Sequence, residues 1–220
     1  MSNPRAIPVV VCAVLVAACS AGPQPNSSNA DIARVSGVED SFGPPFTVST
    51  VGPAAIDPRL LGPQRLPEGI TFDPADCGES ADAQTLPPDV KGNMAATTAE
   101  GDGVRYIVMA VETSEPVPAN PPGEHCQKVA FTGPGIRGLV EVVEAPAIEG
   151  VDTVGTHRVL QRSADGATRT GELYNYVSHF GNFIVIVTAN PLVVPGRPVA
   201  HVDTGRARKL VTEAVGLIKG

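Results

Sequence analysis

Hydrophobic and polar positions change period along this chain, and the changes mark its elements. Towards the C-terminus Ala207, Leu210, Val211, Ala214, Leu217 and Ile218 recur at helical spacing, with Arg206, Arg208, Lys209 and Glu213 on the other face. This predicts an amphipathic helix over Asp203–Lys219, capped by Asp203 or Thr204. Ile32, Val35, Val38 and Phe42 have a similar spacing within Asp31–Phe42. They predict a short helix that Asn29 or Asp31 caps, Gly37 weakens and Gly43-Pro44-Pro45 ends. Between these two segments the pattern is extended. Phe46–Val51 reads as a first strand, followed by Val104–Val111, Gln127–Phe131, Ile136–Glu144, Thr156–Gln161, Thr168–Ser178 and Asn182–Thr188, each rich in β-branched or aromatic residues.

The last two strands flank His179-Phe180-Gly181-Asn182 and read as a hairpin. Every residue of Phe183-Ile184-Val185-Ile186-Val187 is apolar, as expected of a central strand covered on both faces. Residues 52–103 are dominated by Pro, Gly and Asp and read as a long loop. A loop of that length in a compact domain calls for pinning. The C-terminal helix has one apolar stripe to bury, and the sheet is the surface available. The expected fold is therefore α+β: an antiparallel sheet with helices packed on one face, forming a single domain over 30–220.

The N-terminus follows a different logic. Arg5 precedes an apolar run from Ile7 to Ala18, and Val16-Ala17-Ala18-Cys19 follows the lipobox pattern, with Leu15 one place upstream. Residues 1–18 read as a signal peptide, because the run is too short to span a bilayer. Small residues before Cys19 suit cleavage there and thioether lipidation of Cys19, which would hold the protein on the extracytoplasmic face of the cell membrane. Residues 19–29, polar and proline-containing, read as a flexible stalk. Cys12 leaves with the leader and Cys19 takes the lipid, so the exported domain keeps Cys77 and Cys126. In an oxidising compartment two thiols read as one disulfide, here one that would pin the long loop. A metal or redox site using His125 beside Cys126 is the rival reading.

Composition narrows the function further. The 220 residues include 22 Pro and 23 Gly but only 4% aromatics, which implies many turns around a small-residue core. The net charge is −7, and it becomes more negative once Arg5 is lost. Such a surface repels phosphate backbones, so nucleic acid is not an expected partner.

No phosphate loop, dinucleotide fingerprint, nucleophile elbow or paired-histidine metal motif occurs. An enzyme is not expected, and nothing asks for a cofactor or metal. His125, His157, His179 and His201 are scattered singly. Asp73, Asp76, Glu79 and Asp82 form an acidic cluster that reads either as a solvated loop or as oxygen ligands for a cation. Arg206-Ala207-Arg208-Lys209 opposes the dipole at a helix start and needs a reason, either solvent coverage or an anionic envelope ligand. Tyr174 and Tyr176 share one strand face by their period-two spacing and read either as core or as lining of a pocket for an envelope lipid or glycan. If a cleft exists, its expected place is between the sheet and segment 52–103.

Several features together resemble a family of uncharacterised mycobacterial cell-envelope lipoproteins. They are the lipobox Val16–Cys19, the turn Asp73-Pro74-x-x-Cys77, the second cysteine Cys126, and Ala145-Pro146-x-Ile148 followed by Asp152-Thr153-Val154-Gly155. More distantly, the chain is similar to the extracellular sensor domain of a mycobacterial receptor Ser/Thr kinase. That resemblance implies an antiparallel sheet with helices around a cleft and a ligand-binding role. This chain departs from it in lacking tryptophan and in keeping one candidate disulfide. The resulting expectation is a lipid-anchored, non-enzymatic binding or sensor-like module. The alternatives are an envelope hydrolase or transferase whose residues meet only in space, and an accessory lipoprotein that binds a membrane-protein partner. The sequence names no protein partner.

Overall fold

The computed structural model describes residues 29–57, 66–82, 86, 90–164, 166–194 and 196–220. The expected signal peptide, Cys19 and all of the stalk before Asn29 lie outside the described residues. Among the described residues nine strands form one antiparallel sheet: β1 (Thr47–Ala55), β2 (Thr71–Asp73), β3 (Gly92–Gly101), β4 (Val104–Thr113), β5 (Lys128–Gly133), β6 (Ile136–Val143), β7 (Asp152–Ala164), β8 (Ala167–Phe180) and β9 (Phe183–Pro191). Their spatial order is β1-β3-β4-β9-β8-β7-β6-β5-β2. Helix α1 (Gly78–Asp82) is short, α2 (Thr204–Lys219) is long, and a 3₁₀ helix spans Ile32–Ser41. The fold is α+β, as the pattern of periods implies.

Alternation along the strands separates the two faces. One face carries Tyr106, Val108 and Ala110 of β4, Tyr176 and Phe180 of β8, and Val185, Val187 and Ala189 of β9. These pack against Ala207, Leu210, Val211, Ala214, Val215 and Ile218 of α2 in the main core. The stripe runs at three- and four-residue intervals, as an α-helix on a flat surface requires. Val215 completes the buried stripe, while Leu217 is only half-buried at its edge. Asp203 caps the helix, its Oδ1 accepting from the Arg206 N–H at 2.9 Å.

Ile32, Val35 and Val38 enter the same core from the 3₁₀ helix. Their interval of three residues is the 3₁₀ repeat, so this form of helix aligns all three on one side where an α-helix would rotate them apart. Asp31 caps it, accepting from the Ala33 N–H at 2.8 Å. The Asp31 N–H in turn donates to the Ile218 carbonyl at 3.1 Å, joining the two helices. At Gly37 the two pack closely: a Cβ there would stand 3.2 Å from Leu217 Cδ1.

The second face is covered at its two ends by loops. Met94, Met109, Val111, Val177, Ile184 and Ile186 form a cluster with Leu86, against which Ile56, Val90 and Val117 pack. Towards β5 and β6, Val129, Phe131, Ile136 and Val140 pack with Ala81 and the Cys77–Cys126 disulfide, beside Ile70 and Phe72. That disulfide joins residues 49 apart in sequence with a Cα–Cα distance of 5.4 Å, and pins β2 and α1 over the end of the sheet. With a core on each face, β9 is buried along nearly its whole length, as its unbroken apolar run predicts.

The reading of 52–103 as loop is corrected at three places: β1 runs on to Ala55, β2 is a short strand, and residues 92–101 form β3, which pairs with both β1 and β4. The sequence Met94-Ala95-Ala96-Thr97-Thr98-Ala99 has only its two threonines as strand-favouring residues, and its pairing is decided by the neighbours on either side. A local signal was nevertheless present. Asp102-Gly103 is a two-residue turn with φ of 51° and 75°, the conformation that Asp-Gly favours in hairpins. The β8–β9 turn is likewise tighter than the four residues expected, with Phe180 and Phe183 paired across Gly181-Asn182.

Candidate functional site

Between the two covered ends, the middle of the second face is open. A cleft of about 850 Å³ lies over β3, β4, β9, β8 and β7, near the top of the range of roughly 300–1,000 Å³ typical of small-molecule sites. Its floor is built from small or straight side chains that alternation points to this face: Met94, Ala96 and Thr98 of β3, Ile107 and Met109 of β4, and Thr188 and Asn190 of β9. Gly171 and Leu173 of β8 and Leu160 of β7 continue it. Gly171 leaves a gap, since a Cβ there would meet nothing within 4 Å.

The walls come from segment 52–103. Val51, Ala54 and Ala55 overhang one side, where β1 shifts register between Val51 and Ala54. Pro53 sits in that irregularity, tolerated because β1 is an edge strand and needs no ladder donor on its outer side. Leu66 and Pro67, leading towards the disulfide-pinned unit, bound the cleft elsewhere. The lining is mostly apolar, and Val51 at the mouth is 61% exposed.

Polar groups are few. Arg105, Arg158 and Arg162 line the cleft, with Asp57 and Glu172 as the acidic residues. Arg105 Nε donates to Glu100 Oε1 at 2.6 Å. Glu172 is engaged with His157, whose Nε2 lies 3.1 Å from its Oε1. Asp57 stands at the far end, its backbone N–H 3.5 Å from Met94 Sδ. Among the described lining residues there is no histidine, cysteine, serine or lysine.

The structure places Tyr174 and Tyr176 away from this cleft. Both point to the helix side of β8: Tyr176 is 0% exposed within the main core, and Tyr174 packs against that core. Burial raises the pKa of Tyr176 even though Arg208, close to its hydroxyl, favours the phenolate. Tyr174 is also raised, first by burial and then by its hydrogen bond to Glu172. Its ring stacks on His157 at a centroid distance of 4.2 Å. Alternation assigned the two tyrosines to one face, but which face the helices would cover is decided by the tertiary fold.

The other candidate groups are satisfied locally. His125 pairs with Asp76 at 3.0 Å on the surface. His125 also lies close to Cys77 and Cys126, but the two sulfurs are bonded to each other and so are not available as thiolates. Asp73, Asp76 and Glu79 do not converge as a ligand set among the described residues. His179 donates through Nδ1–H to the Val117 carbonyl at 3.0 Å, and burial lowers its pKa. The basic start of α2 has a structural reason. Arg206 lies over the rings of Phe42 and Phe46, at 5.7 and 5.0 Å from their centroids, and Arg208 pairs with Glu144 at 3.6 Å. These contacts offset an unfavourable position on the helix dipole. No described helix is long and apolar enough to cross a membrane.

Comparison with known proteins agrees with this architecture. An uncharacterised protein of Mycobacterium smegmatis, the Rv0999 ortholog, has a crystal structure with 58% sequence identity and a TM-score of 0.83, covering 88% of this chain and 100% of that one. The extracellular domain of PknH from Mycobacterium tuberculosis covers 84% of this chain and 92% of that one, at 13% identity and a TM-score of 0.37, too loose a likeness to carry a functional argument. No curated protein matches the chain in sequence. The family model described as a domain of unknown function (DUF5642) matches residues 31–219. The strands that floor the cleft, the segments that wall it and the helices behind it all lie within that span, and the chain belongs to the DUF5642 family.

Proposed function

We propose that the chain is a lipid-anchored, extracytoplasmic binding module that holds a small, largely apolar molecule in the cleft and does no bond-making chemistry there. The observation that carries this reading is the cleft itself: about 850 Å³, mostly apolar, and walled by a segment that a disulfide helps to fix. A preformed apolar cleft with a few polar groups is the usual form of a small-molecule site. Among the described residues the lining offers no nucleophile paired with a base, so an envelope hydrolase or transferase has less support. The leader pattern before Cys19, together with a disulfide that needs an oxidising compartment, supports export and anchoring. The stalk at 19–29 then sets the domain off from the bilayer.

Native mass spectrometry of the protein purified from its own envelope tests the binding half. The expected result is a retained molecule that extraction with organic solvent removes. Turnover of an envelope ester, amide or glycoside, abolished by one substitution that leaves the fold intact, would overturn the reading. For the anchoring half, Cys19→Ala should release the protein from membranes and leave it without thioether-linked lipid. Persistence of that lipid in the variant would refute the assignment.

A further inference from the structure

We infer that the cleft takes an anionic amphiphile, with its acidic head at the β7 wall and its apolar tail across β9 and β4 towards β3. This rests on the reading of the cleft as the binding site and adds the class of molecule.

The cleft has a direction. Arg158, Leu160 and Arg162 alternate along β7 and so point to the same face. Arg169 lies directly across from Arg162 on β8 and adds a further guanidinium to that end of the face. At the opposite end Met94, Ala96, Ala54 and Ala55 make the lining mainly apolar, with Thr98 and the Glu100-paired Arg105 beside them. Strand order puts β7 four positions from β3, which at about 4.8 Å per strand is roughly 19 Å. That distance suits an acyl chain lying across the strands.

Charge supports this orientation. The whole chain carries −7, yet two of the three arginines that line the cleft stand together on β7, while the third, Arg105 on β4, is paired with Glu100. Near that end the acidic lining residue Glu172 is already held by His157. Asp57 is at the apolar end, beside Met94, where it would disfavour a second anionic group. A neutral lipid would gain nothing from the arginines, and a compact inorganic anion would gain nothing from the apolar floor. An amphiphile with one acidic end uses both, and guanidinium suits carboxylate and phosphate alike through paired N–H donors.

The test uses residues 29–220. These hold every core and the disulfide described above, and a relative matched along its whole length by 88% of this chain forms the fold. The domain is made in an oxidising compartment and delipidated. Nile red reports occupancy, and the competitors are palmitate, methyl palmitate, lysophosphatidic acid, hexadecyltrimethylammonium and inorganic phosphate. Palmitate or lysophosphatidic acid should displace the dye at concentrations about tenfold lower than methyl palmitate, the effect expected of one charge-assisted contact at a partly solvated site. Whichever of the two is stronger identifies the head group as carboxylate or phosphate.

Replacing Arg158 and Arg162 together by Gln should remove about that tenfold preference, each single variant removing part of it, and leave methyl palmitate unchanged. Arg162 is exposed, so its variant still carries the test if Arg158→Gln fails to fold. Equal displacement by the acid and its ester, or stronger displacement by the cationic amphiphile, overturns the charge inference but leaves the apolar cleft intact as a binding site. Competition by inorganic phosphate alone overturns the amphiphile and points to a simple anion site. If no lipid displaces the dye, and Gly171→Phe leaves dye binding unchanged, the reading of the cleft as a binding site falls with it.

Discussion

Leu160 of β7 sits between two glycines in the same row of the sheet, paired with Gly138 of β6 on one side and Gly171 of β8 on the other. The two glycines have opposite surroundings. A Cβ at Gly138 would lie 2.3 Å from Phe131 Cζ and 2.3 Å from the Val159 carbonyl oxygen. A Cβ at Gly171 would meet nothing within 4 Å. Neither position has the positive φ that favours glycine, so space decides the outcome. Gly138→Ala forces Phe131 and the β7 backbone apart. Overpacking of this kind costs about 1–3 kcal/mol, with the backbone contact placing it at the upper end. Gly171→Val should be neutral or stabilising by up to about 1 kcal/mol, through lower unfolded-state entropy and better strand propensity. For a domain of this size 1 kcal/mol shifts Tm by roughly 2–4 °C. Thermal unfolding followed by circular dichroism should therefore show Gly138→Ala melting up to about 10 °C lower and Gly171→Val unchanged or slightly higher. Gly171→Val should also weaken binding of an apolar dye, because its side chain projects into the cleft. If the two variants lose stability equally, Gly171 is covered in solution and the open cleft is refuted.

Three further outcomes are expected. Replacing Cys77 and Cys126 together by Ser should cost up to about 4 kcal/mol on the loop-entropy model, seen as a lower urea midpoint that reductant reproduces in the native protein; an unchanged midpoint would show that the link does not pin segment 66–82. Tyr176→Ala should cost about 3–5 kcal/mol, as for other large core side chains, with Tyr174→Ala costing less. Neither should shift the affinity of a ligand for the folded protein, and an isothermal titration showing selective loss of binding would place them in the site after all. His179 is held neutral by burial, so its folded pKa lies below the ordinary 6.5. The unfolded chain then binds more protons below about pH 6.5, and stability should fall as pH drops from there through the lowered folded pKa. His179→Gln should flatten that part of a Tm-against-pH profile, and an unchanged profile would refute the assignment.

Much of this protein follows from local rules. The apolar spacing of Ala207, Leu210, Val211, Ala214 and Ile218 is enough to specify a helix with one buried side, because an α-helix returns to the same face every three or four residues. Asp203 and Asp31 cap their helices as short polar side chains ahead of apolar stripes do. The unbroken run Phe183–Val187 fixes a strand at the centre of the sheet, since only a strand with a core on each face can bury every side chain. Reading Cys12 as part of a leader and Cys19 as the lipid site leaves one intramolecular pairing to consider, and Cys77 is bonded to Cys126.

What the sequence alone did not decide is everything that depends on which surfaces meet. β3 is built from alanine and threonine and becomes a strand because β1 and β4 offer it ladders on both sides, although the Asp102-Gly103 turn announced it locally. Alternation placed Tyr174 and Tyr176 on one face, but which face the helices would cover and which would remain open depends on where α2 docks. The cleft exists because two separate loop systems cover the ends of the second face and leave its middle bare. No window of residues contains that fact, since Ala54, Leu66, Met109, Leu160 and Gly171 are brought together only by pairing strands that are far apart in the chain.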